Sequence, residues 1–148
     1  MFNYCRRESI DFSTFVNEEK GVVAVRINNG LRQLCDEYNL FCLKNQTYFD
    51  NKFWDTFMDL YGKQIDKIVG LSTCNYDAGD VFDAEFGANL AKERALVCFE
   101  GYRTKMFTML CLRYDDLAEK AGIRAEMSDA RRCDRIDAVN DQIDSIKL

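Results

Sequence analysis

The chain has 148 residues, of which 47% are hydrophobic and 30% charged, and its net charge is −5. This composition is typical of a folded globular domain and excludes an intrinsically disordered chain. No apolar run approaches the roughly 20 residues of a membrane-spanning helix, and no apolar stretch follows the charges of the first ten residues, as it would in a secretory signal. We therefore predict one cytoplasmic domain, residues 1–148, with 123–148 as a candidate helical extension.

Histidine and proline are absent, and seven cysteines are present. Without histidine the chain cannot form a Ser-His-Asp triad, a Cys-His pair or an imidazole metal site. The cysteines are odd in number and form no CxxC pair, so we predict reduced, small hydrophobic side chains in the core. The absence of proline favours long helices. The sequence thus predicts a protein without catalytic residues, metal or cofactor.

The first third of the chain is predicted to form a short helix, a strand and a second helix. The polar segment 8–20 carries three apolar residues on one side, which predicts a short amphipathic helix. Segment 22–27 is β-branched and lies between a glycine and the turn sequence Asn-Asn-Gly, which predicts a strand, followed by a helix at 31–43. Apolar residues also recur at helical spacing from 23 to 41, so one continuous helix is the alternative.

An aromatic helix and a second strand are predicted to follow. Phe53 and Phe57 lie four residues apart, which favours a helix within 49–61. Trp54 lies off that stripe and is a candidate partner-binding residue, because tryptophan is enriched at interface hot spots; core packing is the alternative. The sequence IDKIVGLSTC predicts a strand at 65–74.

Two helices are predicted for the second half. Asp80 is a good N-cap for a helix over 81–121, which Gly122 is expected to end. A C-terminal helix over 128–147 carries an apolar stripe with steps of three and four residues, typical of helices that pair. Its members are Ile136, Val139, Ile143 and Ile146. Helices of this length suit a homodimer.

The predicted fold class is therefore α+β and helix-dominated. A short antiparallel sheet from segments 22–27 and 65–74 is expected to accompany the long helix and the C-terminal helix. An all-α fold is the alternative, since the apolar residues of the first strand can also be arranged on a helix.

Carboxylates concentrate between residues 75 and 87, where no basic residue balances them. The four are Asp77, Asp80, Asp83 and Glu85. Their spacing does not fit a calcium-binding EF-hand, because Asp80 occupies the place of the required central glycine. Helix capping and a solvated surface explain them structurally, and the functional interpretation is an acidic docking surface for a basic partner.

Small side chains recur along the predicted long helix at steps of four and three residues. They are Ala84, Ala88, Ala91, Ala95 and Cys98. Such a stripe lets another helix or a sheet approach closely, so we expect core packing here and along the adjacent bulky stripe of Phe82, Phe86 and Leu90.

The segment 70–96 resembles a recurring segment of uncharacterised small phage and prophage proteins. The matching residues are Gly70, Cys74, Asp80, Phe82, Asp83, Glu85, Gly87, Leu90, Ala91, Arg94 and Ala95. The resemblance covers about one sixth of the chain and implies a mobile-element origin and a strand–turn–helix arrangement. It implies no catalytic residue.

Basic residues suggest a second function, nucleic-acid binding. The candidates are Arg103, Lys105, Arg131, Arg132 and Arg135. Because aspartates lie among the last three and the sequence pI is about 4.8, a salt-bridged helix surface is the simpler explanation, and nucleic acid is an unlikely direct ligand.

The leading hypothesis is a non-enzymatic phage-type protein in the bacterial cytoplasm. It would bind and inhibit or redirect a host or defence macromolecule, a protein or a ribonucleoprotein. Anti-CRISPR-like occlusion of a Cas effector is the favoured subclass. The alternatives are a nucleic-acid-binding phage accessory protein and a metal-dependent enzyme that uses the four carboxylates.

Overall fold

The computed structural model describes residues 10–146, and within them the chain forms three strands and three helices. In chain order these are β1 (Phe12–Asn17), β2 (Val22–Ile27), α1 (Gly30–Lys44), α2 (Asn51–Ile65), β3 (Val69–Thr73) and α3 (Ala84–Ile146). The predicted helix-dominated α+β fold is confirmed. The predictions for Cys5, for the start of segment 8–20, for the lack of a signal sequence and for Lys147 lie outside the described residues.

The three strands form one antiparallel sheet in the order β1-β2-β3. The predicted strand 22–27 is present as β2, and the predicted strand 65–74 is present in its second half as β3. Ile65 instead ends α2 and is fully buried. Antiparallel pairing places Val23, Val25 and Ile27 on the buried face of the sheet and leaves Arg26 on the other.

The predicted helix at 8–20 is wrong, because residues 12–17 form strand β1. The strand pairs with β2 in the register Phe15 to Ala24. The chain reverses at Gly21, which has φ +65° and donates its N–H to the carbonyl of Glu18 at 3.1 Å. Since a left-handed φ costs glycine least, this residue makes the tight return to β2 possible. Pairing with β2 overrides the helical spacing of the apolar side chains.

Asn28 and Asn29 separate strand β2 from α1, so the continuous-helix alternative is wrong. The carbonyl of Asp11 accepts from the N–H of Asn28 at 2.9 Å, and the side chain of Asn29 accepts from the N–H of Asp11 at 2.8 Å. These two asparagines bind the chain that enters β1, and α1 begins immediately afterwards at Gly30. Their poor helix propensity identified the boundary.

The first part of α3 packs very closely against β3. A Cβ built on Gly70 would lie 1.9 Å from the carbonyl oxygen of Ala91 and 2.6 Å from the nitrogen of Ala95. Ala91 and Ala95 are fully buried, as the small-residue stripe predicts. At its edge, β3 offers the carbonyl of Leu71 to Arg94, whose Nη1 donates at 2.7 Å.

Three residues of the predicted stripes differ from the expectation of core packing. Ala84 and Cys98 are exposed, and Phe86 is exposed although it was expected in the core. Of the six described cysteines, which are all free thiols, Cys42 is buried and Cys98, Cys111 and Cys133 are exposed. The expectation of core cysteines therefore holds for Cys42 but not for these three.

Two compact units are present, divided after Phe107, and α3 contributes to both. The helix starts at Ala84 rather than 81 and continues through Gly122 to Ile146, so the predicted end near 121 and the new start near 128 are wrong. A Cβ on Gly122 would meet nothing within 4 Å. A single glycine weakens an exposed helix by about 1 kcal/mol, which neighbouring good helix formers offset.

Candidate functional site

The acidic segment, residues 75–86, comprises the loop between β3 and α3 and the first residues of α3, and its loop is held by its own side chains. The carboxylate of Asp80 accepts from the N–H of Asn75 at 3.2 Å, and the side chain of Asn75 accepts from the N–H of Ala78 at 3.3 Å. These bonds enclose a single 3₁₀ turn at Tyr76–Ala78, which Gly79 ends with φ +87°. The loop is therefore ordered by local hydrogen bonds.

The helix N-cap is Asp83 and not Asp80. The carboxylate of Asp83 accepts from the N–H of Phe86 at 3.1 Å, and its carbonyl accepts from the N–H of Gly87 at 2.9 Å. Asp80 closes the loop instead, as described above. Both aspartates therefore stabilise the local backbone. The structural interpretation predicted a capping aspartate, but it assigned the cap to the wrong residue.

A cleft of about 290 Å³ lies between the acidic segment, the end of the sheet and the first turns of α3. It is lined by Gly21, Cys74, Asp80, Val81, Phe86 and Leu90, among others. The hydroxyl of Tyr76 donates to the carbonyl of Glu18 at 2.5 Å, and the N–H of Cys74 donates to the carbonyl of Gly21 at 2.7 Å. These bonds fasten the acidic segment to the β1–β2 turn.

Apolar side chains accompany the carboxylates at this cleft. Val81 is 89% exposed and Phe86 is 66% exposed, and both line the cleft beside Asp80 and Asp83. Asp77 in the 3₁₀ turn and Glu85 in the first turn of α3 are also exposed, although neither lines the cleft itself. We call this group the acidic–apolar surface: Asp77, Val81, Glu85 and Phe86. Val81 lies on the loop and Phe86 in the first turn of α3, and exposed apolar side chains that share one cleft suit a contact surface.

Two side chains at the cleft, Cys74 and Tyr76, have raised pKa values, which favour their neutral forms. Desolvation raises the pKa of the Cys74 thiol, and the nearby Asp80 carboxylate raises it further. Desolvation likewise raises the pKa of Tyr76, with smaller contributions from Cys74 and Glu18. Because the thiolate is the nucleophilic form of cysteine, Cys74 is poorly suited to nucleophilic chemistry at neutral pH.

Trp54 lies away from solvent, in an aromatic cluster on α2. It is 9% exposed, and its ring centroid lies 5.6 Å from that of Phe57 and 6.3 Å from that of Phe49. The ring therefore offers almost no surface to a partner, and the fold gives no support to its predicted role in partner binding. Core packing explains it.

Arg103 is bound within the fold, which the nucleic-acid hypothesis did not anticipate. Its guanidinium donates two bonds of 2.8 Å to the carboxylate of Glu37, which is 2% exposed, and also pairs with Glu100. The hydrogen bonds that Arg103 donates to Glu37 raise the pKa of Arg103 above its ordinary value. A guanidinium engaged in this way is not available to a phosphate.

The other predicted basic residues are in two different environments. Lys105 Nζ lies 5.0 Å and 4.9 Å from the ring centroids of Tyr61 and Tyr102. Arg131, Arg132 and Arg135 belong to the second unit and are exposed, and Arg132 pairs with Asp129 at 3.1 Å.

Sequence reasoning missed the Arg103–Glu37 pair because 66 residues separate its members. A carboxylate between Leu34 and Tyr38 on the buried stripe of α1 was the available signal.

Comparisons with protein-family models, with curated proteins and with solved structures found no match to this chain. Within residues 10–146, no three or more cysteine, aspartate or glutamate side chains are grouped so that they could hold a metal ion. Among the same residues, no helix combines the length and the apolar character needed to cross a membrane.

Proposed function

We propose that the protein is a non-enzymatic interaction protein that binds a basic surface of a bacterial protein or ribonucleoprotein through the acidic–apolar surface. The observation that carries the proposal is the exposure of Val81 on the ordered loop and of Phe86 in the first turn of α3, where carboxylates flank both. Apolar anchors supply binding free energy when a partner removes them from water, and the surrounding charge selects a partner of opposite sign.

The order of the loop supports this assignment. The bonds of Asn75, Asp80 and Tyr76 fix the segment before any partner arrives. A surface that is already ordered loses less conformational entropy on binding than a flexible one. The unbalanced carboxylates also accelerate encounter with a basic partner, and this acceleration decreases with added salt.

The biological setting is proposed from the resemblance of segment 70–96 to phage and prophage proteins. In that setting, an acidic surface that covers a basic one suits inhibition of a host or defence macromolecule. Occlusion of the nucleic-acid groove of a Cas effector is the favoured example, because such grooves are positively charged. The protein would then act in the cytoplasm of the bacterial host.

A charge-reversal comparison tests the surface. The variant Asp77→Lys/Glu85→Lys is compared with Asp55→Lys/Asp59→Lys, which makes the same charge change on exposed positions of α2. Each protein is assayed for retention of Cas effectors from a bacterial lysate and for protection of phage from CRISPR interference. We expect activity in the parent and the α2 variant, and its loss in the acidic-segment variant.

Two results would contradict the proposal. Equal loss in both variants would show that net charge alone matters and that the acidic–apolar surface is not the contact. Absence of both retention and protection with the parent chain would remove the Cas-effector subclass. Replacement of Phe86 by serine separates the apolar contribution: retention should fall while the salt dependence stays.

A further inference from the structure

The second unit displays a row of large apolar side chains that nothing in the described chain covers. Every residue from Asp115 to Ile146 is exposed. The row consists of Ile136, Val139, Ile143 and Ile146, which are between 44% and 82% exposed. Exposing four large aliphatic side chains on one helix face to water costs free energy. Burial of that face against a partner removes this cost.

The same face continues toward the N-terminus with different residues. Alternating steps of four and three residues before Ile136 lead to Arg132, Asp129, Ala125, Gly122 and Ala118. The mean step over the whole row is 3.5 residues, the repeat that keeps one face against a left-handed supercoiled partner. The row thus has a small half at 118–125, two charges in its centre and a large half at 136–146.

We propose that this row is the interface of an antiparallel dimer of two copies of this chain. A twofold axis between residues 130 and 131 places Ile136 opposite Ala125 of the second copy, Val139 opposite Gly122, and Ile143 opposite Ala118. Each large side chain meets a small one, so both halves are filled without overlap. Because the axis is twofold, every layer occurs twice.

The two charged residues at the centre of the row also fit the antiparallel arrangement. Arg132 and Asp129 already pair within one helix at 3.1 Å. About the proposed axis, Arg132 of one copy faces Asp129 of the other, so two pairs combine into a balanced cluster of four charges. A parallel dimer would instead align Asp129 with Asp129 and Arg132 with Arg132, which repel.

Residue size also selects the antiparallel orientation. In a parallel dimer the small half would face itself and leave gaps at Ala118, Gly122 and Ala125, and a gap forfeits packing contacts. Gly122 in particular weakens an exposed helix but permits close approach of a second one. Ile146 falls opposite Asp115 and lies at the margin of the interface. Dimer formation through this row does not depend on the proposed target.

The oligomeric state of the full chain tests the dimer. Light scattering after size exclusion, across a wide range of concentration, should give a mass rising from 17.2 kDa toward twice that value. A mass of 17.2 kDa at every concentration overturns the proposal. A larger assembly also overturns it, because a twofold interface closes at two copies.

Matched variants locate the interface. Ile143→Asn removes a large side chain from the row, whereas Ile123→Asn removes an equally exposed one from the opposite helix face. We expect Ile143→Asn to raise the dissociation constant on the order of a hundredfold, since symmetry affects two layers, and Ile123→Asn to leave it unchanged. Val139→Asn repeats the test, and circular dichroism confirms that each variant stays helical. Equal effects of the two isoleucine changes contradict the assignment.

Orientation is tested separately. Ala125→Leu should weaken an antiparallel dimer, because the added side chain meets Ile136, whereas it would strengthen a parallel one. Spin labels on Cys111, with the other accessible cysteines replaced by serine, should lie about 60 Å apart, from 1.5 Å of rise per residue. A separation of about 10 Å, the distance between neighbouring helix axes, would establish the parallel orientation and overturn the proposal.

Discussion

Residues 10–107 and residues 115–146 use apolar side chains in opposite ways. In the first region Val25, Phe99 and Met106 are buried within the chain, whereas in the second Ile136, Val139 and Ile143 are exposed. Both sets recur at regular spacing in the sequence. Regular spacing therefore predicts that a face is buried, but it does not predict whether the residues that bury it belong to the same chain.

The largest effect is expected where the first region is packed most closely. Gly70→Ala places a Cβ 1.9 Å from the Ala91 carbonyl, so β3 and α3 must separate. We expect a loss of about 3 kcal/mol or more in the free energy of unfolding, measured by urea denaturation. Gly101→Ala is the control, because its Cβ meets nothing within 4 Å and should stabilise the helix by about 1 kcal/mol. Similar effects of both changes would contradict the close packing.

The second effect concerns the buried ion pair. Glu37→Gln leaves the Arg103 guanidinium with a neutral partner in a largely buried position. We expect a cost of about 3 kcal/mol in the same measurement, because Arg103 loses its buried counter-charge and keeps only the more exposed Glu100. Glu100→Gln, at the more exposed second carboxylate, should cost well under 1 kcal/mol. An equally small cost for Glu37→Gln would show that the pair contributes little.

A smaller effect on stability tests whether Asp83, and not the predicted Asp80, is the N-cap of α3. Asp83→Ala removes the bond to the N–H of Phe86 and should cost about 1 kcal/mol. Asp77→Ala, in the same acidic segment, should change stability by less than about 0.5 kcal/mol, because within residues 10–146 that exposed side chain makes no hydrogen bond or ion pair. Thermal unfolding of the two variants provides the measurement. A larger loss of stability for Asp77→Ala than for Asp83→Ala would show that Asp83 is not the N-cap.

The smallest effect is on the reactivity of one thiol. Asp80→Asn keeps an acceptor for the N–H of Asn75 but removes the charge that raises the pKa of Cys74. The pH at which alkylation of Cys74 reaches half its maximal rate should therefore move downward, since thiolate forms at lower pH. Mass spectrometry of the Cys74 peptide follows the reaction. An unchanged or higher midpoint would exclude Asp80 as a cause.

Local patterns predicted β2, α1 and the fold class, because turn residues and β-branched runs act within a few positions. The strand at 12–17 was not predictable in this way, since its six residues become a strand only by pairing with β2. Gly122 was expected to stop a helix, but a glycine stops one only where another conformation is better satisfied. In the candidate site, the acidic character followed from the sequence, whereas the bond from Tyr76 to Glu18 joins residues 58 positions apart.

The contact between Arg94 and the carbonyl of Leu71 has a consequence for solubility. A strand at the rim of a sheet presents free backbone groups to which a foreign strand can add, and this is how many sheets begin to aggregate. Arg94 occupies one such acceptor on β3 with a charged side chain. A small sheet with Leu71 and Val69 exposed on its outer face thus carries its own obstacle to edge-to-edge growth.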